Sequence, residues 1–302
     1  MPTLATLAPA ELQQRLARGL SLQTGPFRFL VQSNQPRVAR DLAAVYADFA
    51  LDPGEETHDF HIRLAGTEAW RRWLGRPQVN FWLDGYAPFK PLPADHGFAL
   101  LEWGMNWCLA GQAHHYLMLH AAVLERQGRC IILPGEPGAG KSTLTAALML
   151  TGWRLLSDEL TMVDRDDGLI VALARPVSLK NQSIDLIRRF APDAQFGETA
   201  HDTHKGTVAH LRPSAQSVAR VQEKGRAAHI VFPRWRAEGD TRLSARPKGG
   251  SFEHVANHAF NYSLLGRLGF EMNADLIDRC DCWDFEYTRL DEALRVFEEL
   301  VR

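Results

Sequence analysis

The stretch from Gly135 to Ser142 constrains this chain more than any other part of its sequence. It matches the phosphate-binding pattern G-x-x-x-x-G-K-[ST] at every fixed position. An apolar run, Cys130–Leu133, precedes the stretch, and a second apolar run, Thr143–Leu150, follows it. Strand, glycine-rich loop and helix in this order form the context that the pattern needs, so the sequence predicts that a nucleoside triphosphate binds here.

The chemistry of such a loop is direct. Glycines let backbone N–H groups surround a polyphosphate, and the start of the following helix adds partial positive charge. The Lys141 ammonium reaches the β- and γ-phosphates in this pattern, and the Ser142 hydroxyl binds Mg²⁺. We therefore predict ATP and Mg²⁺ as cofactors, with nucleotide contacts along the whole loop: Gly135, Glu136, Pro137, Gly138, Ala139, Gly140, Lys141, Ser142 and Thr143.

Bulk properties exclude several classes of protein. The chain has 302 residues, of which 45% are apolar and 23% charged, as in an ordinary soluble globular protein. A net charge of −2 lacks the basic excess of nucleic-acid-binding proteins. No window holds the roughly 18 uncharged apolar residues of a membrane-spanning helix. Four cysteines without a secretory leader indicate a reducing cytoplasm, so we predict a cytoplasmic protein without nucleic-acid or membrane partners.

Composition and periodicity divide the chain into two parts. The pattern of residues 1–112 predicts a small α+β unit, which ends in a helix rich in apolar residues of the kind found in protein cores. The pattern of residues 113–302 predicts a larger α/β unit built around the phosphate-binding motif. Within it, 192–226 is polar and predicted to include a mobile loop. The strands and helices predicted along the chain are a helix near 9–16, a strand at 27–33, a helix at 38–51, strands or turns at 58–64, 70–74 and 79–85, a helix at 94–111, strands at 117–125, 130–133, 153–156, 229–232 and 241–246, and helices at 252–268 and 291–302.

An acidic pair follows the glycine-rich loop. Asp158 and Glu159 come directly after the apolar run Trp153–Leu156. A carboxylate at the end of a strand beside a phosphate loop can bind Mg²⁺, and a second can accept the proton of an incoming hydroxyl. A solvated acidic turn between two strands is the alternative.

Histidines supply the remaining candidates. His120 lies on the strand predicted before the loop strand, where it could orient an acceptor or donate to a phosphoryl oxygen. A satisfied core histidine is the alternative, and it is the commoner situation for a single histidine on an apolar strand. His254 and His258 are four residues apart on a predicted helix, and we interpret them as an ordinary helix face rather than a metal site.

Two blocks of this sequence resemble HPr kinase/phosphorylase, and more closely the HPr-kinase-related proteins of bacteria. One block runs from Leu119 through Thr143, and the other from Gly152 to Glu159. The segment Ala245–Gly250 and the helix containing Asn261 and Tyr262 are similar to a further segment of the family. The resemblance covers roughly 116–270.

The resemblance implies a P-loop kinase core with a mixed β-sheet of the phosphoenolpyruvate-carboxykinase and HPr-kinase type. It also implies roles for individual residues. His120 and Asp158 become catalytic, with Asp158 as the base. Glu159 becomes a metal residue, alongside Ser142 and Asp158. Arg246 becomes a cation that stabilises the transition state, acting with Lys141.

From the motif, the acidic pair and the resemblance, we predict an ATP- and Mg²⁺-dependent kinase that phosphorylates a hydroxyl, first of all a serine, on a protein or peptide. Some HPr-kinase-related proteins are associated with peptide maturation, which favours a peptide acceptor. Residues 1–112 do not resemble the usual partner domain, which argues against HPr itself as acceptor. The alternatives are a nucleotide-dependent assembly ATPase without an acceptor and a kinase of a small molecule such as a free amino acid. Homo-oligomerisation stays open.

Overall fold

The computed structural model describes residues 2–51, 57–67, 75, 77–136 and 138–302. The predicted segment 70–74 and the loop residue Pro137 therefore lie outside the described residues. The strands are β1 Leu20–Thr24, β2 Phe27–Ser33, β3 Phe60–Gly66, β4 Gln78–Leu83, β5 Leu92–Pro93, β6 Tyr116–Leu119, β7 Ala121–Arg126, β8 Arg129–Pro134, β9 Arg154–Ser157, β10 Thr161–Asp164, β11 Ile170–Val171, β12 Val177–Lys180, β13 Ala200–Thr203, β14 Gly206–Leu211, β15 Ala227–Trp235, β16 Arg242–Ala245 and β17 Asp281–Tyr287. The α-helices are α1 Pro9–Arg18, α2 Pro36–Val45, α3 Gly97–Gln112, α4 Lys141–Leu150, α5 Gln182–Phe190, α6 Ala215–Ala219, α7 Lys248–Asn257, α8 Tyr262–Leu265, α9 Arg267–Arg279 and α10 Leu290–Leu300.

The chain forms two compact units. One comprises Met1–Leu109 with Ser178–Ala219, and the other comprises Ala110–Val177 with Arg220–Arg302. The first boundary lies three residues before the one expected from the sequence. The segment 178–219 differs from expectation, because it belongs to the first unit rather than to the unit that contains the glycine-rich loop.

The first unit is built on a mixed sheet. Within the described residues its order is β1-β2-β3-β4-β5, with β2 and β3 parallel and the other neighbours antiparallel. Burial alternates strictly along β2, as expected for a strand with one face against a core. A second sheet has the order β12-β14-β13, and its hairpin β13–β14 lies within the polar segment 192–226, which the sequence analysis had not divided into strands.

A buried carboxylate stands out in the first unit. Asp41 of α2 is 1% exposed, and its Oδ1 accepts the backbone N–H of Glu198 at 2.5 Å. Burial raises the pKa of Asp41 to about 6, although that hydrogen bond and the nearby Arg37 guanidinium act in the opposite direction. Helix α2 ends at Val45, earlier than the predicted Leu51.

The second unit is built on a mixed sheet of order β16-β17-β15-β8-β7-β9 in the described chain. The pairs β8–β15 and β15–β17 are parallel, whereas β7–β8, β7–β9 and β16–β17 are antiparallel. Residues 121–125 and 130–134 are buried without alternation, so both faces of these strands are covered. A smaller antiparallel sheet, β11-β10-β6, adds to the same core. The molecule is thus mixed α/β, as predicted.

Helices cover the larger sheet. Val255 of α7 and Met272, Leu276 and Ile277 of α9 share one buried cluster with the inner residues of β7, β8 and β15. Helices α4 and α10 contact one another and the sheet as well. The helix predicted over 252–268 is wrong in its continuity, because α7 ends at Asn257 and α8 begins only at Tyr262. This break carries two residues of the site described next.

Within the described ranges, no helix is long and apolar enough to cross a membrane.

Candidate active site

Three segments of the second unit meet at one end of its larger sheet. Strand β7 is antiparallel to both β8 and β9, with Ala121 opposite Pro134 and Val123 opposite Ser157. His120 precedes β7, the predicted phosphate loop (Gly135–Ser142) follows β8, and the acidic pair follows β9. Because antiparallel neighbours start and end at opposite edges, these segments share a single edge. The structure therefore brings together the residues that the sequence analysis selected on either side of the loop.

The predicted phosphate loop has the backbone geometry that its glycines allow. Gly138 and Gly140 have φ angles of 89° and 86°, in the left-handed region that residues with a Cβ rarely adopt. The N–H of Ala139 donates to the Glu136 carbonyl oxygen at 3.1 Å, which closes a tight turn. Helix α4 begins at Lys141. The first N–H groups of a helix lie beyond its internal hydrogen bonds, so they are available to an anion at this end.

Two residues from distant strands hold the end of the loop. The backbone N–H of Trp235 donates to the Ala139 carbonyl oxygen at 3.0 Å, and the Tyr287 hydroxyl donates to the Gly140 carbonyl oxygen at 3.0 Å. Trp235 and Tyr287 are paired in register at the ends of the parallel strands β15 and β17. Burial raises the pKa of Tyr287, so its hydroxyl stays protonated and remains a donor. Sequence reasoning missed both residues because no local signal marks them.

The first residues of α4 are buried or half-buried. Lys141 is 7% exposed, and its carbonyl oxygen accepts the Thr145 hydroxyl at 2.9 Å, while Ser142 and Thr143 are half-buried. The Ser142 hydroxyl lies 3.5 Å from Oδ2 of Asp158, which is 6% exposed. The contact joins the loop to the acidic pair across 16 residues of sequence.

The turn that carries the acidic pair is closed by the side chain of Ser157. The Ser157 hydroxyl donates to the Leu160 carbonyl oxygen at 2.7 Å, which fixes the residues between them. Asp158 is buried and Glu159 is half-buried. This corresponds to the strand, acidic turn and strand predicted from the sequence, and it disfavours a fully solvated turn for Asp158.

The predicted metal residues offer oxygen donors of the kind that Mg²⁺ prefers. No group of three or more His, Cys, Asp or Glu residues that could hold a metal occurs in the part of the chain that the structure describes. Ser142, Asp158 and Glu159 offer a hydroxyl and carboxylates, and Mg²⁺ is commonly bound through one or two carboxylates, waters and substrate phosphates. The predicted metal residues thus suit a cation that arrives with a nucleotide.

His120 lies at a break between two strands. The strand predicted over 117–125 is wrong at this point, because β6 ends at Leu119, β7 begins at Ala121, and the two belong to different sheets. The N–H of His120 donates to the His258 carbonyl oxygen at 2.8 Å, and its ring lies 5.8 Å from that of Phe260. The half-buried ring is thus placed at the sheet edge rather than within a continuous strand.

Asn261 supports this break. Its side-chain oxygen accepts the N–H of Met118 at 3.0 Å, and its amide donates to the Tyr116 carbonyl oxygen at 2.8 Å. The Asn261 side chain is 2% exposed and acts as a substitute strand partner for β6. The structure thereby explains why an asparagine suits this position.

Arg246 does not contact the loop in the described structure. Its guanidinium is 2.6 Å from Asp284 and 4.2 Å from the ring centroid of Phe232. The ring of Phe232 packs in turn against that of His254, at 4.7 Å. The predicted role of Arg246 as a transition-state cation stays a prediction, because in this arrangement the guanidinium is paired with Asp284.

His258 joins the loop to α7, although the sequence analysis gave it no role in the site. Its Nε2 lies 2.7 Å from the carboxylate of Glu136, and its ring stacks on that of His254 with a centroid distance of 4.4 Å. The spacing of the two histidines predicted a shared face but not its partner. Glu136 is 122 residues away in sequence.

Comparison with known proteins adds little to this picture. No family model and no curated protein matches the chain. Among solved structures, the chain is similar to the Hpr(Ser) kinase/phosphatase from Coxiella burnetii, with 14% identity over 61% of this chain and 93% of that chain. The TM-score is 0.26, and a similarity this low indicates neither a shared activity nor a shared substrate.

Proposed function

We propose that this protein is an ATP- and Mg²⁺-dependent kinase that transfers the γ-phosphoryl group to a hydroxyl, first of all a serine, of a protein or peptide. The observation that carries the proposal is the meeting of the predicted phosphate loop, His120 and the acidic pair at one sheet edge. The Ser142–Asp158 contact supports it, because phosphoryl transfer needs a metal ligand and a base beside the same phosphates.

The roles follow from the chemistry of each group. The Lys141 ammonium and the loop amides would hold the β- and γ-phosphates, and Ser142, Asp158 and Glu159 would hold Mg²⁺. Mg²⁺, when bound, neutralises charge on the phosphate oxygens. One carboxylate oxygen of Asp158 would take the acceptor proton as the hydroxyl oxygen bonds to the γ-phosphorus. The bond from that phosphorus to the bridging oxygen then breaks, and ADP leaves. His120 would donate a hydrogen bond to the transferring group.

The acidic pair separates the kinase from an assembly ATPase. A switch that only hydrolyses ATP needs a metal-binding acid, whereas a transferase also needs a carboxylate oxygen that takes the proton of the acceptor hydroxyl. Two adjacent carboxylates, one buried and one half-buried, stand at the end of β9. This favours the transferase.

The decisive experiment follows label from γ-labelled ATP into a panel of serine-containing peptides, proteins and free amino acids. Asp158→Asn should lower labelling of the acceptor by about 100-fold or more, because it removes the proton acceptor. Asp166→Asn is the matched control, since Asp166 is 86% exposed in a turn away from the sheet edge, and it should keep the wild-type rate.

Other outcomes would replace the proposal. Free phosphate without any labelled acceptor would support the assembly ATPase. Label on a free amino acid but on no peptide would support the small-molecule kinase. Equal rates in Asp158→Asn and wild type would remove Asp158 from the mechanism.

Nucleotide binding has a test of its own. Lys141→Ala should weaken MgATP affinity by about 10- to 100-fold, the range expected for a charge-assisted contact to phosphate. Lys90→Ala, at an exposed position of the other unit, should bind as wild type does. Unchanged affinity of Lys141→Ala in calorimetry would refute the assignment of the loop.

A further inference from the structure

His258 is the residue that ties the predicted phosphate loop to His120. Its ring contacts Glu136, the second residue of the loop, and its backbone oxygen accepts the N–H of His120 at 2.8 Å. The His258 side chain is 19% exposed, whereas that of Glu136 is 68% exposed. The better-buried partner therefore fixes the more exposed one.

The ring of His258 contacts one oxygen atom through each of its nitrogens. Nδ1 of His258 lies 2.8 Å from the carbonyl oxygen of His254, and Nε2 lies 2.7 Å from a carboxylate oxygen of Glu136. The two contacts fix the orientation of the ring, and the second one also fixes the Glu136 carboxylate.

His254 supports one face of the His258 ring. The two rings are parallel, with an interplanar angle of 9° and a centroid distance of 4.4 Å. Among the described residues, the buried Nε2 of His254 has no hydrogen-bond partner. Burial, and then the neighbouring His258 and Arg246, lower the pKa of His254.

We propose that His258 is a positioning residue for nucleotide binding. Its ring holds the Glu136 carboxylate and its carbonyl oxygen holds the N–H of His120, so His258 fixes Glu136, the second residue of the loop, relative to His120. Without the ring, this part of the loop would have to be ordered when a polyphosphate binds, which would weaken nucleotide affinity. The inference rests on the proposed function, because it assumes that a polyphosphate binds at the loop. It assigns a role to Glu136 and His258 that the phosphate-binding pattern does not specify.

His258→Ala and Glu136→Ala, made singly and together, test this role through MgATP affinity measured by calorimetry. Each single change removes the His258–Glu136 contact and should weaken affinity by up to about fivefold, the size of a largely exposed ion pair. The double variant should lose no more than the weaker-binding single variant, because the two residues act through one contact.

Two further variants complete the design. His258→Gln keeps a hydrogen-bond donor for Glu136, so its MgATP affinity should lie between that of His258→Ala and that of wild type. Glu253→Gln, at an exposed position of α7, is the matched control and should bind as wild type does.

Wild-type affinity in His258→Ala, or strictly additive losses in the double variant, would overturn the inference while leaving nucleotide binding intact. Failure of wild type and of every variant to bind MgATP would instead refute the proposed function, and with it the role in nucleotide binding.

Discussion

The substitution Gly140→Ala probes how the loop is held. A Cβ at this position would overlap the Tyr287 hydroxyl and lie 2.9 Å from Cβ of Trp235. Gly138 provides the matched control, because it has a similar φ angle and the described structure places nothing within 4 Å of its Cβ position. Both substitutions place an alanine at a positive φ angle, so they share that cost. Only Gly140→Ala adds a steric overlap with neighbouring side chains.

The magnitudes follow from these contacts. An L-residue in the left-handed region costs about 1–2 kcal/mol, which is the whole effect expected for Gly138→Ala. Overpacking against the buried Tyr287 and Cβ of Trp235 adds about 1–3 kcal/mol. Gly140→Ala should therefore lose about 2–5 kcal/mol of unfolding free energy, and MgATP affinity should fall with it because the loop must shift.

Urea denaturation followed by circular dichroism measures the difference, with both variants compared over the same transition. Tyr287→Phe removes the overlapping hydroxyl together with its hydrogen bond to Gly140, a bond worth about 1 kcal/mol. That substitution should cost less in the Gly140→Ala background than in wild type, by about 0.5 kcal/mol or more. Equal losses of unfolding free energy in Gly138→Ala and Gly140→Ala would refute the steric explanation. Strictly additive effects of Gly140→Ala and Tyr287→Phe would refute it as well.

Three further outcomes are expected. Asn261→Ala should destabilise the fold by about 2–4 kcal/mol in urea denaturation, because it leaves two buried backbone groups of β6 unsatisfied; a loss below about 1 kcal/mol would contradict this. Asp41 binds its proton more tightly in the folded state, since burial raises its pKa from 3.8 to about 6. Wild type should therefore lose about 3 kcal/mol of stability relative to Asp41→Asn as the pH rises from about 3 to about 7, through both pKa values; parallel stability curves would exclude this. Burial raises the pKa of the Cys130 and Cys280 thiols to about 12, so both should resist a thiol reagent at neutral pH in folded protein and react in urea; rapid labelling of the folded chain would contradict their burial.

Sequence by itself determined the parts of this protein that depend on short stretches of chain. The glycine-rich loop, its strand β8 and its helix α4 lie where the pattern predicted them, because glycine spacing and apolar runs act over a few residues. The acidic turn after β9 was predicted for the same reason. The local signals also predicted most strand and helix cores, such as β2 and α10.

Only the tertiary structure decided what surrounds the loop. Trp235, Tyr287 and His258 are about 100 residues or more beyond it in sequence, and each reaches it through the register of a strand or the end of a helix. The grouping of 178–219 with the first unit also depends on contacts between distant segments. Contacts between distant segments produce no recognisable pattern in a single sequence, because many other polar or aromatic residues of the chain could have made them. The prediction of nucleotide binding thus came from the Gly135–Ser142 motif alone, whereas the Glu136–His258 pair and the anchoring of Gly140 became visible only in the fold.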